Sequence, residues 1–353
     1  MVAVGLSSNA ATAAGDGFRA VRGWLLFLIA LAFAMVLVGG ATRLTESGLS
    51  ITEWNLVSGA VPPLSAEAWD AAFALYRQSP QHDLRNQGMS LQDFKTIFWW
   101  EWAHRELGRF IGLVYIGGFL WFAIRRSVPA RVIAILLAIG ILLGAQGVVG
   151  WVMVASGLNP GMAAVEPVRL ALHLTLASLF LASLAALYVK LGGAEPEVAG
   201  WRGERTAARA LVTLAFLQIG LGGLVAGHDA GLTDNTWPLM DGRFIPRGLG
   251  ALEPVWLNIV GNITAIQFNH RIGAYVLSAA ILAYAVMVRR ATPSVRGRAM
   301  LLSALVLAQV AVGIVTLVNI VPIPLALMHQ ALALVLLFSL VWNASVLQAP
   351  RAI

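Results

Sequence analysis

Four of the six histidines in this 353-residue chain fall at matched places in long apolar segments. His104 and His270 are each followed by arginine, Arg105 and Arg271, where such a segment begins. His173 closes Leu170-Ala171-Leu172-His173, and His329 closes Leu325-Ala326-Leu327-Met328-His329. An ionisable side chain in a membrane-length apolar run is costly and reads as functional by default. Two imidazoles reaching from facing helices can grip the iron of a haem on both axial positions. The pairs expected are His104 with His173 and His270 with His329. Interhelical hydrogen bonding explains one such histidine about as well as ligation does, but it explains four in two matched pairs poorly. Zinc is the weaker competitor, because two imidazoles per site fall short of its usual three or four protein ligands. The chain has no cysteine, which excludes disulfides, thiolate metal sites, iron–sulfur clusters and thiol nucleophiles. His82, in the polar run Gln81-His82-Asp83, is expected to be solvated. His228 has no histidine counterpart and is expected either to pack a loop or to meet a haem propionate.

The two pairs differ one helical turn before their first member. One segment reads Glu101-Trp102-Ala103-His104-Arg105 and the other Gln267-Phe268-Asn269-His270-Arg271. Residues three apart share a helix face, so Glu101 and Gln267 point the same way as the histidines that follow them. The two side chains have nearly one shape, but only the glutamate can exchange a proton. A carboxylate beside an apolar haem pocket suits acid/base work. The first half therefore reads as built for chemistry and the second as built to hold a haem, the alternative being that Glu101 merely pairs with Arg105 or Arg109. Arg105 and Arg271 suit haem propionates, which favour guanidinium, and suit interfacial anchoring equally well. The glycine pairs Gly39-Gly40 and Gly222-Gly223 are expected to serve tight helix packing rather than approach to a porphyrin.

The elements that must position these groups are membrane helices. Hydrophobic residues make up 59% of the chain and charged residues 12%, outside the soluble mixture. Runs long enough to cross a bilayer, about 20 residues each, are expected at 23–41, 104–124, 132–154, 168–190, 207–226, 266–288, 299–321 and 324–346. The first is too long for a signal-peptide core and lacks a clear cleavage site, so it reads as a retained span. Arg19, Arg22, Arg125, Arg126, Arg131, Lys190, Arg202, Arg205, Arg209, Arg289, Arg290, Arg296, Arg298 and Arg351 all fall on one side, which the positive-inside rule makes cytoplasmic, with both termini. The net charge of +7 is thereby accounted for by topology, and no nucleic-acid partner is expected.

The four-span order repeats. Gln146-Gly147-Val148-Val149-Gly150 matches Gln309-Val310-Ala311-Val312-Gly313, alongside the glycine pairs and the histidine segments. The expected fold is an all-α membrane protein whose eight transmembrane helices form two four-helix bundles related by a pseudo-twofold along the membrane normal. Its parts are a cytoplasmic tail 1–22, a first half 23–190 with the long outer loop 42–103, a linker 191–206, a second half 207–346 with the outer loop 227–265, and a tail 347–353.

The run Gly40-Ala41-Thr42-Arg43-Leu44-Thr45-Glu46-Ser47-Gly48-Leu49-Ser50-Ile51, with Glu101-Trp102-Ala103-His104-Arg105, His173, His270-Arg271 and His329, resembles the haem A synthases of the proteobacterial and mitochondrial branch. The resemblance spans about 23–346. It implies oxidation of the C8 methyl of haem O to the formyl group of haem A, for use in terminal oxidases. It further implies a haem b cofactor on His270 and His329, with Arg271 beside it, and the substrate haem between His104 and His173. Glu101 would be the essential carboxylate, and water would supply the oxygen through a geminal diol. The expected setting is a bacterial inner membrane, with haem O synthase as upstream partner and a homo-oligomer compatible with the sequence. Some relatives carry a cysteine pair in an outer loop; its absence here excludes a thiol-dependent route. Two rivals remain on the residues alone: a dihaem b-type electron carrier, and a transporter using the histidines as proton relays.

Overall fold

The computed structural model describes residues 5–55, 57–192, 197–198 and 203–348, with side chains described from 17 to 347 outside the stretch 193–202. Arg202 and Arg351, two of the basic residues used to orient the chain, lie outside the described residues, as does most of the tail 347–353. Eleven α-helices are present among them: α1 (Gly5–Leu44), α2 (Ala66–Tyr76), α3 (Pro80–Arg85), α4 (Leu91–Arg125), α5 (Ala130–Gly157), α6 (Pro167–Lys190), α7 (Glu204–Gly227), α8 (Leu257–Val260), α9 (Ile263–Met287), α10 (Pro293–Val318) and α11 (Ile323–Val346). The only strands among the described residues are β1 (Glu197–Val198) and β2 (Leu347–Gln348), which pair in parallel.

Eight helices are long and apolar enough to cross a membrane: α1 from Gly17, α4, α5, α6, α7, α9, α10 and α11. The chain is a multi-pass membrane protein. Many large apolar residues of these spans are exposed, among them Leu113, Ile124, Ile141 and Met300, as a lipid-facing surface requires. Most bounds fall within a few residues of those expected; the starts of three helices do not, α10 among them, which begins at Pro293 rather than 299. The first helix starts at Gly5, inside the segment expected as a tail. The second starts at Leu91 rather than 104, because Ser90 and Asp93 form a reciprocal capping box that satisfies the first free N–H groups. The added turns pack Phe94, Ile97 and Phe98 on Tyr76 and Trp69 of α2, so the long loop between α1 and α4 rests on an extension of α4. His104, expected where its apolar segment begins, therefore lies well inside its helix; His173, His270 and His329 lie near their helix starts.

Helix α1 packs on α4, α4 on α5, α5 on α6 and α6 back on α1. In the second half α7 packs on α9, α9 on α10, α10 on α11 and α11 back on α7. The rings join through α6 against α7, α1 against α11, and α6 against α11.

The glycine pairs divide their work between these contacts. A Cβ on Gly40 would stand 1.9 Å from Gln330 Oε1 of α11, and one on Gly223 would stand 2.7 Å from the Ala171 Cα of α6. The second glycine of each pair thus admits the opposite half, as small residues do between membrane helices. The first glycine faces a histidine.

Candidate functional site

One continuous cavity of about 1210 Å³ runs between the two rings, and His104, His173, His270 and His329 all line it. Single small-molecule sites occupy about 300–1,000 Å³, so the space exceeds what one ligand needs. Its wall is mostly aliphatic and glycine, with Glu101, Gln146, Gln218, Gln267, Gln309 and Gln330 among its polar members, along with Arg105 and Arg271.

Each imidazole rests on a glycine of a neighbouring helix. A Cβ on Gly39 would meet His104 Cε1 at 2.9 Å, one on Gly150 would meet His173 Cε1 at 2.8 Å, one on Gly222 would meet His270 Cε1 at 3.1 Å, and one on Gly313 would meet His329 Cε1 at 2.7 Å. The sequence expectation for Gly39 and Gly222 was helix packing; instead they make room for the ring. Gly150→Ala is expected to displace His173 and weaken porphyrin binding in that half. Gly147→Ala, whose Cβ would meet nothing within 4 Å, is expected to leave it unchanged. Visible titration with an iron porphyrin checks the pair of variants.

Three rings are also held by glutamines. Gln218 Nε2 donates to the His270 carbonyl at 2.9 Å and lies 3.0 Å from His270 Nδ1. Gln146 Nε2 donates to the His173 carbonyl at 3.0 Å and lies 3.3 Å from His173 Nε2. Gln309 Nε2 lies 3.2 Å from His329 Nδ1 and 3.3 Å from its Nε2. Each glutamine stands four residues before the glycine that faces the same ring. That Gln-x-x-x-Gly spacing on α5, α7 and α10 was readable in the sequence, where Gln146 and Gln309 served only as repeat markers and Gln218 went unnoticed. Buried Nδ1 atoms of His104 and His173 have no hydrogen-bond partner. Unpartnered buried imidazole nitrogen in a roomy apolar cavity is the donor set an iron porphyrin takes axially. Among the described residues no three of His, Cys, Asp and Glu converge on one point.

Glu101 is buried and accepts from Ser50 Oγ (2.8 Å) and the Ile51 N–H (2.8 Å) on Oε2, and from Arg105 Nε (3.0 Å) and Nη2 on Oε1. Glu101 lines the mostly apolar cavity, and the groups that hydrogen-bond its oxygens are all donors. The pairing with Arg105 is present, while Arg109 pairs with Glu106. Gln267 sits among groups of the opposite kind. Its amide nitrogen donates to the Ala230 carbonyl (2.9 Å) and the Asp234 carbonyl (3.4 Å), and its oxygen accepts from Arg271 Nη2 (3.3 Å). The first loop offers donors to a carboxylate; the second offers acceptors to an amide. Ser50 and Ile51 were missed from sequence, because contacts some fifty residues apart leave no local pattern.

Arg105 spends its nitrogens on Glu101 and on the Glu53 and Ile51 carbonyls. Arg271 donates to the Asp234, Thr236 and Leu239 carbonyls, with its buried Nε left over. Each arginine fastens the loop before its helix to the helix that carries a histidine. Arg43, in the last turn of α1, pairs at 2.8 Å with Asp229 in the loop that follows α7. His228 Nε2 lies 2.7 Å from the Val260 carbonyl, a loop-packing contact. His82 is only partly exposed and stands edge-on to Tyr76 at 5.8 Å, so it is not freely solvated as expected.

A family model described as cytochrome oxidase assembly protein matches residues 22–341. A protein of Methylobacterium sp. (strain 4-46) named Heme A synthase is 52% identical over 331 residues, covering 93% of this chain and 92% of its own. One of the same name from Azorhizobium caulinodans is 47% identical over 329 residues, covering 93% and 94%. Another from Methylorubrum populi is 50% identical over 339 residues, covering 93% and 87%.

Proposed function

From the premise that the chain belongs to the cytochrome oxidase assembly protein family, we propose that it is a haem A synthase, an oxidoreductase that converts the C8 methyl of haem O to the formyl group of haem A. The observation that carries this reading is the unlike treatment of two otherwise matched sites. A carboxylate stands one turn before His104, held by donors, and an amide stands one turn before His270, held by carbonyls. A dihaem electron carrier has no use for that difference. A transporter has none for four rings cradled by glycine.

In this reading His270 and His329 hold haem b, and His104 and His173 hold the substrate. Haem b, when bound, supplies one-electron redox chemistry. The net change is R–CH3 + H2O → R–CHO + 4 H⁺ + 4 e⁻, passing through the alcohol and the geminal diol. Glu101 takes protons at its carboxylate oxygens as they leave the methyl carbon and the attacking water. Ser50, the Ile51 N–H and Arg105 keep that carboxylate in one place. Gly39 and Gly150 make room for the substrate-side rings, and the mostly aliphatic wall suits the apolar face of a porphyrin. Arg271 has a spare Nε donor for a propionate, while Arg105 acts by holding Glu101 and the loop.

The same reading includes two four-helix halves, 23–190 and 207–346, related by a pseudo-twofold. It is supported by the junction contacts, since exchanging halves turns α6 against α7 into α11 against α1 and α6 against α11 into itself. It also places the termini in the cytoplasm of a bacterial cell, with the chain in the inner membrane and haem O synthase upstream.

The test is conversion. The purified chain, given haem O and an electron acceptor, should yield haem A or its hydroxylated precursor on solvent extraction and mass analysis. Recovery of unaltered haem O from protein that binds it would refute the assignment.

A further inference from the structure

His104 is held differently from the other three histidines. Four residues before each ring-facing glycine stand Gln146, Gln218 and Gln309, but the residue four before Gly39 is Met35. The replacement is positional as well as sequential. Gln218 Oε1 would lie 2.3 Å from a Cβ on Gly273, three residues past His270. Met35 Cε would lie 3.4 Å from a Cβ on Gly108, four residues past His104. Both side chains thus cover the helix turn after the first histidine of their half. Met35 offers no hydrogen-bonding group to the ring; the buried Nδ1 atoms of His104 and His173 both lack a partner, but Gln146 still meets the His173 ring at Nε2, and no such amide stands beside His104.

We propose that His104 is the exchangeable ligand of the substrate site: Met35, standing where the other three sites have glutamine, leaves its imidazole free to swing, so that the substrate porphyrin can enter and the product can leave. The other three rings stay fixed, which suits a permanent cofactor between His270 and His329 and a fixed back wall at His173. This inference rests on the assignment of the first half to substrate. Hydrogen bonds from outside the ligand set orient metal-binding histidines, and their loss lowers metal affinity about 10–100-fold. A methionine contributes only adaptable apolar contact.

The test uses the full-length chain loaded with haem O, with dissociation followed by Soret absorbance against excess haem-scavenging apoprotein. Met35→Gln should slow release from the first half by about 10-fold or more, with Met35→Leu matching the wild type. Gln218→Met and Gln309→Met should shed haem b faster while leaving haem O release unchanged. Release from Met35→Gln at the wild-type rate would overturn the proposal. So would an altered spectrum in Met35→Leu, which would make the sulfur itself a ligand. If Met35→Gln does not fold, full retention of haem b by both glutamine variants overturns it equally. Haem O binding that persists in a His173→Ala variant would instead sink the site assignment beneath it.

Discussion

Glu101→Gln should bind haem O and form no haem A, with turnover at least about 100-fold below the wild type. The loss has two sources that act together. Glutamine cannot take a proton from the methyl carbon or the attacking water. It also turns an N–H2 group toward a nest built for a carboxylate, in which the Ser50 hydroxyl can turn to accept but the Ile51 N–H and the Arg105 guanidinium can only donate. One of those donors loses its partner whichever way the amide is turned, and a buried donor without a partner costs about 1–3 kcal/mol. Visible spectra of the variant should still report both histidine pairs loaded, because the rings rest on Gly39, Gly150, Gly222 and Gly313 and not on Glu101. Glu106→Gln is the control. Its partly exposed pair with Arg109 lies away from that nest, and its activity should stay near the wild type. Full turnover in Glu101→Gln would turn the reading toward an electron carrier.

The second large effect separates the two sites. His329→Ala should remove the haem b spectrum altogether and abolish turnover, because the second half then has one axial donor and Gln309 loses the ring it holds. His173→Ala should keep the haem b spectrum and lose binding of haem O, since Gln146 and Gly150 then frame an empty place in the other half. The two variants therefore fail in opposite ways, to be read by absorbance of the purified proteins before and after addition of haem O. The reverse pattern would exchange the roles assigned to the halves. Loss of both spectra in both variants would mean that the cavity holds its contents as a unit.

Much of this was legible in the sequence, for reasons that can be named. Membrane spans announce themselves by apolar length, so the eight crossings fell close to their observed positions. The start of α4 did not, because its first turns carry Asp93 and Lys95 among aromatic residues and serve an aqueous loop; Ser90 and Asp93, three apart, were the available signal. The four histidines were readable from their matched segments. Their supports were only partly readable. The glycine and glutamine spacing is local and was there to be found, but which ring each one serves depends on how α1, α5, α7 and α10 face their neighbours. The surroundings of Glu101 were hidden, since Ser50 and Ile51 reach it only when the long loop between α1 and α4 folds back over α4. Hence the Glu101/Gln267 difference was visible as a change of type, while its physical content, donors around one and carbonyls around the other, required the fold.

The most direct measurement is the number and ligation of porphyrins held by the intact chain. Purified in detergent and saturated with haem O, it should carry one haem b and one haem O or its product per chain, both low-spin with two histidine ligands by electron paramagnetic resonance. A chain that stays colourless where haem is abundant, or that holds a single porphyrin at saturation, would contradict the account.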